Sequence, residues 1–335
     1  MSEHSRPYAI HSNQECERLE LQARLANIEG HLRYLPVAPG DRVLDAGCGS
    51  GSMSRLIART FPRADVIGVD LREQYLGFAR SRARAEDIRN LVFHSADVFA
   101  LPFTDAAFDV VWTKYLLQWL KEPTRALKEL QRVTRPGGIV VSCDFAGFAI
   151  EHFPVTAEFD RQVRHVMTAL VDCDVGRKVA PMMISLGFRN VKVEIEADKI
   201  FTVIGRIDAE RRWNWEKQLQ AARPHLIQII GTKAGADRFV EAVLRNYDDP
   251  TTCSTTTLHF TQGKRDVTDP LGLFAFTIKI TGRTLRCVSC LMASPFWCAT
   301  SQTGLEQKRG HPGGEHKLAI LVNPASEEHP SVAVF

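Results

Sequence analysis

Short apolar runs alternate along the chain with longer segments in which apolar residues recur at helical spacing. The short runs are rich in valine, isoleucine and leucine, which is the pattern of strands buried on both faces of a sheet. They occupy residues 42–45, 64–70, 90–94, 108–112 and 139–143. Because helical segments separate these runs, the order predicts an α/β fold with a doubly wound, mostly parallel sheet.

An amphipathic helix precedes the first strand. Ser12 and Glu15 have the spacing of a capping box, and an apolar stripe follows them through Leu21, Leu25 and Ile28. The pattern predicts an N-terminal helical segment within residues 1–35.

The second half of the chain has a different texture. Helical patterns cover residues 155–187 and 205–248, and strand patterns cover residues 190–197 and 255–261. Beyond residue 264 only short apolar runs and a stretch rich in glycine, histidine and proline remain. We therefore predict that residues 265–335 form a C-terminal extension that is poorly ordered or loosely packed.

The composition is that of an ordinary globular protein, with 44% hydrophobic and 24% charged residues among 335. A net charge of +3 is too small to favour nucleic acid as a partner. The longest apolar run, residues 138–150, is too short to span a bilayer, and residues 1–6 are too polar for a signal peptide. Because no run is long enough for a bilayer, we expect no membrane partner. Eight scattered cysteines favour free thiols in a reducing compartment, so we expect a cytoplasmic protein.

The most informative stretch follows the first predicted strand, where Asp45 precedes Gly47, Gly49 and Gly51. Glycines at a strand-to-helix turn let a ligand approach the backbone and its N–H groups. A dinucleotide fingerprint would place a glycine at position 52, which is Ser52 in this chain. The spacing therefore disfavours a nicotinamide-dependent dehydrogenase.

Five motifs in order resemble those of the class I S-adenosylmethionine (SAM) dependent methyltransferases. They lie at residues 43–51, 66–71, 95–103, 108–112 and 135–141. The resemblance covers roughly residues 36–264 and implies a Rossmann-like domain with a seven-strand sheet. In this family the last two strands form an antiparallel pair with a short connection. Here a long helical segment separates them, and we predict that about residues 200–250 form a lid over the acceptor.

The resemblance also implies a set of cofactor-binding residues. Asp70 would accept the ribose hydroxyls, Leu71 and Val98 would enclose the adenine, and Asp97 would accept from its amine. Asp45 would hold the methionine end and orient the loop, a role that is partly structural. The alternative for Asp70 and Asp97 is a carboxylate that only caps a loop. The full set is Asp45, Gly47, Cys48, Gly49, Gly51, Asp70, Leu71, Asp97, Val98 and Lys114.

Two regions are candidates for binding the acceptor. Tyr8, Arg18 and Gln22 belong to the segment that folds over the SAM pocket in many related enzymes, with simple helix packing as the alternative. Trp119 stands after the fourth strand where histidine is frequent in the family. This departure removes a family-standard histidine and predicts an aromatic wall for an apolar acceptor.

No general base is evident from sequence patterns alone. Methyl transfer needs a base only where the acceptor must lose a proton. His152 is the preferred candidate because it follows the fifth strand at the ligand edge of the sheet, and His94 and His165 are further candidates. Each of these histidines has a structural or surface role as its alternative.

The C-terminal extension holds a second pattern that could carry chemistry. Cys287 and Cys290 form a CxxC pair, and Cys298, His311 and His316 follow. The later residues lack the spacing of a zinc site, so we expect no metal.

Together these features predict a SAM-dependent methyltransferase that acts on a small molecule. The acceptor atom, whether oxygen, nitrogen, carbon or sulfur, stays open, as does the oligomeric state. The alternative is a protein of the same fold that binds SAM without methyl transfer, such as a pericyclase-like catalyst or a regulatory module.

Overall fold

The computed structural model describes residues 13–266 and, beyond them, the backbone of four strands. The helices are α1 (Asn13–Leu25), α2 (Ser52–Thr60), α3 (Glu73–Ala85), α4 (Pro123–Val133), α5 (Ala157–Leu170), α6 (Val175–Ser185), α7 (Ala209–Ile230) and α8 (Lys233–Asp248). Short 3-10 helices cover Ile28–Tyr34 and Leu117–Trp119.

The strands follow the same chain order. They are β1 (Arg42–Ala46), β2 (Asp65–Asp70), β3 (Leu91–Ser95), β4 (Phe108–Lys114), β5 (Thr134–Ala146), β6 (His152–Phe153), β7 (Arg189–Ala197), β8 (Val203–Ile204), β9 (Cys253–Ser254), β10 (Thr257–Lys264), β11 (Leu273–Ile280), β12 (Arg283–Cys290), β13 (Ile320–Val322) and β14 (Val332–Val334).

The main sheet has the strand order β12-β11-β7-β10-β5-β4-β1-β2-β3. Strands β1 to β5 pair in parallel, and β10 runs antiparallel between β5 and β7. The chain builds outward from β1 to β3 on one side and then returns to place β4 on the other side of β1. In such sheets ligands bind where the order reverses, beyond the carboxyl ends of the strands.

Side-chain alternation assigns the strand residues to two faces of the sheet. Val43 and Trp112 belong to the core on one face, and Leu44 and Val111 belong to the core on the other. Since Asp45 follows Val43 by two positions, it lies on the Val43 face. Lys114 likewise follows Trp112 by two positions, so both polar side chains reach the same side of the sheet.

The doubly wound seven-strand sheet predicted from the apolar runs is confirmed, and β11 and β12 extend it at the β7 edge. A small second sheet, β6-β9-β8, was not predicted. Its strands are two residues long, so they carry no period that a sequence pattern could reveal.

Between β7 and β10 the chain forms β8, α7, α8 and β9, so the insertion predicted there is mainly helical. Helix α7 packs against α1, where the Arg18 guanidinium donates to Asn214 Oδ1 at 2.9 Å. The N-terminal helix and the insertion therefore form one continuous cover. None of the described helices, α7 included, combines the length and apolarity needed to cross a membrane.

Tertiary contacts continue to the last residue before the gap in the described chain. Arg265 donates to the Arg132 carbonyl at 2.7 Å, and Asp266 forms an ion pair with Arg189 at 2.7 Å. A domain boundary at residue 264 stays a prediction, but a truncation that respects these contacts has to end after Asp266.

Candidate active site

A cavity of about 250 Å³ lies beyond the carboxyl ends of β1, β2 and β4, where the strand order reverses. Two groups of side chains and backbone form its wall. The sheet side is lined by Asp45, Gly47, Cys48, Gly49, Ser50, Asp70, Leu71, Arg72, Asp97 and Val98. The covering side is lined by Arg18, Gln22 and Ile28 from the N-terminal segment and by Gln218 from α7. Between the two sides lie Lys114, Tyr115, Gln118, Trp119 and Phe145, at the ends of β4 and β5 and in the turn after β4.

The glycine loop does not present its amides to the cavity as the motif suggested. Gly47 and Cys48 both donate to the Val69 carbonyl, at 2.8 and 2.9 Å, and Gly49 donates to Asp70 Oδ2 at 3.0 Å. The Gly51 amide donates to the Cys48 carbonyl at 2.9 Å. These bonds fix the loop on β2. The amides of Gly47, Gly49 and Gly51 are therefore already paired, so the glycines allow a close approach to the backbone and do not offer these N–H groups to a ligand.

Two glycines of the loop need the left-handed conformation for different reasons. Gly47 (φ 76°) lines the cavity, and a Cβ there would lie 3.0 Å from the Leu116 side chain. Gly51 (φ 76°) lies outside the cavity wall, where a Cβ would come within 2.8 Å of Ala79 and Phe93. Gly51 therefore packs the loop against α3 and β3, and its contact with the ligand stays a prediction.

Asp45 lies on the cavity floor with only 2% of its surface exposed. Its Oδ2 accepts from the Ser54 hydroxyl at 2.5 Å. Burial, which disfavours the charged form, raises the pKa of Asp45 to about 7. The carboxyl therefore exchanges protons near neutral pH and is held in place by the first turn of α2.

Asp70 ends β2 at the rim of the cavity, where both of its oxygens are oriented by the backbone. Oδ2 accepts from the Gly49 amide and Oδ1 from the Arg72 amide, each at 3.0 Å. Burial raises the pKa of Asp70, whereas these amide bonds act in the opposite direction. A carboxylate fixed in this way retains lone pairs for a pair of ligand hydroxyls.

Leu71, Asp97 and Val98 lie together on the wall next to Asp70. Leu71 is 48% exposed, which is unusual for a large apolar side chain at a sheet edge and suits contact with a planar ligand group. Asp97 Oδ1 accepts from the Phe99 amide at 3.0 Å. Asp97 therefore caps its loop and also faces the cavity, so the two roles weighed for it coexist.

Lys114 places a cation in the wall between the two sides. Its Nζ lies 4.3 Å from the centre of the Tyr115 ring, and it forms no ion pair with any carboxylate in the described part of the chain. Burial lowers the pKa of Lys114. A half-buried ammonium without a counter-ion is suited to binding an anionic ligand group.

Helix α1 and the insertion supply the covering side. Glu20 fastens α1 to the glycine loop by accepting from the Ser52 hydroxyl at 2.5 Å and from the Arg55 guanidinium at 2.7 Å. Arg18 and Gln22 line the cavity from the same helix, and Gln218 lines it from α7. The N-terminal helix and the insertion thus both lie over the ligand site.

Three polar atoms of the cavity lining have no hydrogen-bond partner among residues 13–266. They are Trp112 Nε1, Gln118 Oε1 and Gln218 Oε1. Since buried polar atoms are normally paired, these atoms are available to a bound ligand. Trp119 adds an aromatic surface beside them, at the position predicted for the acceptor.

His152 is not part of this cavity, so its role as a catalytic base stays a prediction that the position of the ring does not support. Its Nδ1 bonds to the Ser254 hydroxyl at 2.7 Å and its Nε2 to the Ala149 carbonyl at 3.1 Å. The β5–β6 turn carries the ring into the small second sheet instead of the main sheet edge. His94 and His165 are likewise absent from the cavity wall.

Two predictions fall outside the described residues. Tyr8 precedes residue 13, and the side chains of the cysteine and histidine pattern at residues 287–316 are not described. Within residues 13–266 no cluster of histidine, cysteine and carboxylate side chains has the arrangement of a metal site.

The sequence patterns did not identify Tyr115, Gln218 or the buried Asp198, whose carboxylate accepts from the Tyr115 hydroxyl at 3.0 Å. Tyr115 carries one local signal, since it directly follows a strand that ends at the ligand edge. Asp198 and Gln218 carry none, because only the tertiary fold brings the insertion to the site.

Comparisons with known proteins point to one family. Residues 38–203 match a family model described as a methyltransferase domain. The chain is 32% identical over 178 residues to malonyl-[acyl-carrier protein] O-methyltransferase of Herminiimonas arsenicoxydans, covering 53% of this chain and 61% of that protein. It is 38% identical over 112 residues to 27-O-demethylrifamycin SV methyltransferase of Amycolatopsis mediterranei, covering 33% and 41% respectively. The matches therefore span less than two thirds of either relative.

The fold also has a counterpart among solved structures. Phosphoethanolamine N-methyltransferase 2 of Haemonchus contortus, solved with S-adenosylmethionine, superimposes with a TM-score of 0.50 at 17% identity. The alignment covers 76% of this chain and 58% of that one. At this identity the likeness establishes a shared fold.

Proposed function

We propose that the protein is a SAM-dependent methyltransferase that transfers the methyl group of SAM to a small-molecule acceptor, which the match of residues 38–203 to a methyltransferase domain supports. The observation that carries this proposal is the two-sided cavity. One wall carries an oriented carboxylate, Asp70, beside the exposed Leu71, and the rest of the lining offers the Trp119 ring and unpartnered polar atoms. A cofactor and an acceptor would meet between them.

The residues present fit SAM. Asp70 would accept from the ribose hydroxyls, Leu71 and Val98 would enclose the adenine, and Asp97 would accept from its amine. The charged methionine end would lie between Asp45 and Lys114, which offer a carboxyl and an ammonium. When bound, SAM supplies a methyl group on a positively charged sulfur.

The protein's own contribution would be positioning and exclusion of water. Holding two reactants in line can lower a barrier by roughly 7–11 kcal/mol. Helix α1 and the insertion cover the cavity, and Arg18 joins them through Asn214. We propose that this cover acts as a lid, with Trp119 and Gln218 against the acceptor.

The lining of the cavity supports an acceptor with an apolar part, because the Trp119 and Phe145 side chains belong to it. The relatives are named for malonyl-[acyl-carrier protein] and 27-O-demethylrifamycin SV as acceptors, and the first is named an O-methyltransferase, so oxygen is the first acceptor atom to test.

We also propose a cytoplasmic location. The five cysteines in the described part of the chain are all free, including the half-buried Cys48 in the cavity wall. Free thiols at a ligand site suit a reducing compartment.

The test is release of S-adenosylhomocysteine in the presence of candidate acceptors. Phenols, alcohols, carboxylic acids, amines and thiols of similar size should be compared, with the rate without acceptor subtracted. We expect one class to stimulate release and the product to gain the mass of one methylene. Tight SAM binding without release for any class would instead favour the alternative, a protein that binds SAM without transferring its methyl group.

A further inference from the structure

Tyr115 has an unusual backbone conformation at the junction of the two cavity walls. Its φ of 54° lies in the left-handed region, which is rare for a bulky residue. The conformation is held by the Tyr115 amide, which donates to the Cys143 carbonyl at 2.9 Å, and by stacking on Phe145 at 4.2 Å. Strain of this kind concentrates at functional sites.

The strained backbone directs the phenol to a buried carboxylate. The Tyr115 hydroxyl donates to Asp198 Oδ2 at 3.0 Å, and Asp198 is fully buried. The other oxygen, Oδ1, accepts from the amides of Ile200 and Phe201 at 2.8 and 2.6 Å. Asp198 is therefore fixed before any ligand binds, and its partner tyrosine lines the cavity.

The protonation states suit this pair to accept a proton. Burial raises the pKa of the Tyr115 phenol and of the Asp198 carboxyl. Tyr115 is thus a neutral hydroxyl at neutral pH, and Asp198 is a more basic carboxylate than an exposed one. The charged or titratable groups that face Tyr115 are Lys114, Asp198, Cys143 and Asp144.

We propose that Tyr115 is a catalytic residue that removes the proton of a hydroxyl acceptor, with Asp198 as the carboxylate that receives the tyrosine's own proton. This inference rests on the proposed methyltransferase function and narrows its acceptor to a neutral alcohol or phenol. It also gives the reaction a general base inside the cavity, whereas His152 lies outside it.

The step balances as follows. The O–H bond of the acceptor breaks, and its proton passes to Tyr115 Oη while the phenolic proton passes to Asp198 Oδ2. The electron pair left on the acceptor oxygen forms the new bond to the methyl carbon, whose bond to sulfur breaks with its pair left on sulfur. The neutral Asp198 carboxyl then returns its proton through Tyr115 to water.

Tyr115→Phe is the decisive variant because it removes only the hydroxyl and keeps the ring on Phe145. With a hydroxyl acceptor we expect kcat to fall about 100-fold or more, the lower end for loss of a general base. The KM for the acceptor and the SAM affinity measured by calorimetry should change less than about threefold. Activity of the variant should recover as the pH approaches the pKa of the acceptor, which a purely structural role would not produce.

A matched control exists outside the cavity. Tyr34 also donates its hydroxyl to a carboxylate, that of Glu196, and is not part of the cavity wall. Tyr34→Phe should leave kcat within about twofold of the wild type. In Asp198→Asn the one carbonyl oxygen can still accept from the two amides, but the amide nitrogen cannot take the proton of the phenol, so kcat should fall at least about tenfold.

The outcomes separate the two proposals. If the wild type releases S-adenosylhomocysteine but Tyr115→Phe keeps its kcat, the role of Tyr115 is wrong and the methyltransferase function stands. The same holds if only carboxylate or thiolate acceptors, which need not lose a proton, are methylated. If no acceptor is methylated by the wild type, both proposals fail together.

Discussion

The two walls of the cavity are built in different ways. On the sheet side, Asp45, Asp70 and Asp97 each lie at or just after the end of a parallel strand, and each is oriented by a bond to a residue near it in sequence or in the adjoining loop. On the covering side, Arg18 and Gln218 come from segments far apart in the chain and meet only through tertiary packing.

This contrast separates the binding of a common ligand from the choice of a specific one. The residues of a wall made from strand ends are held in place by the sheet and can vary little, so this wall suits a ligand that all members of a family bind. A wall made from an N-terminal helix and an insertion can change without disturbing the sheet. We therefore propose that the cofactor binds along the first wall and the acceptor along the second.

The largest effect should come from the packing that fixes the sheet-side wall. Gly51→Ala forces a left-handed alanine whose Cβ would clash with Ala79 and Phe93 at 2.8 Å. We expect a loss of about 2–4 kcal/mol in the free energy of unfolding, from overpacking plus conformational strain. Chemical denaturation measures this difference.

Gly77→Ala is the control for this substitution. Gly77 lies within α3, and a Cβ there would meet no atom within 4 Å. The variant should be more stable than the wild type by about 0.5–1 kcal/mol. If both alanine variants behaved alike, the loop would not be fixed by packing against α3.

A smaller effect is expected for the carboxylate that faces the ligand. Asp70→Ala should weaken SAM binding about 10- to 150-fold, equivalent to ~1.5–3 kcal/mol for hydrogen bonds to a charged group. Calorimetric titration measures the affinity. Asp65→Ala, at the exposed start of the same strand, should bind SAM like the wild type. Equal affinities for all three proteins would remove Asp70 from the cofactor site.

The smallest effect concerns the titration of the cavity floor. Because the pKa of Asp45 is raised to about 7 in the folded state, its ionisation opposes folding as the pH rises from its ordinary 3.8 through 7. Asp45→Asn cannot ionise, so its melting temperature relative to the wild type should rise by roughly 2–5 °C between pH 4 and pH 8. His31 and Asp144 are present in both proteins, so their titrations cancel. A difference independent of pH would show that Asp45 is charged throughout.

The same contrast explains what the sequence could predict. The parallel strands were found because burial on both faces leaves continuous apolar runs, and the placement of Asp70 and Asp97 followed from the strands that precede them. The packing of Gly51 could not be predicted, because a spacing of glycines does not distinguish contact with a ligand from contact with Phe93. A close contact with a ligand and a close contact with Phe93 both require glycine at this position.

Residues outside the parallel strands were harder to place, for a different reason. A position after β5 predicts the ligand edge for His152, but the turn at Gly147 leads the ring to Ser254 in the small sheet. Asp198 was missed because its partner Tyr115 is 83 residues away. Contacts of this range depend on the packing of whole elements, which a local pattern does not encode.

Photolabelling with 8-azido-S-adenosylmethionine tests the division of the cavity most directly, because the azide marks the residues beside the adenine. The account predicts that the label appears in peptides that contain Leu71 or residues 95–101, and that unlabelled S-adenosylhomocysteine prevents it. Labelling concentrated in α1 or α7, with equal competition, would place the cofactor against the covering wall and contradict the account.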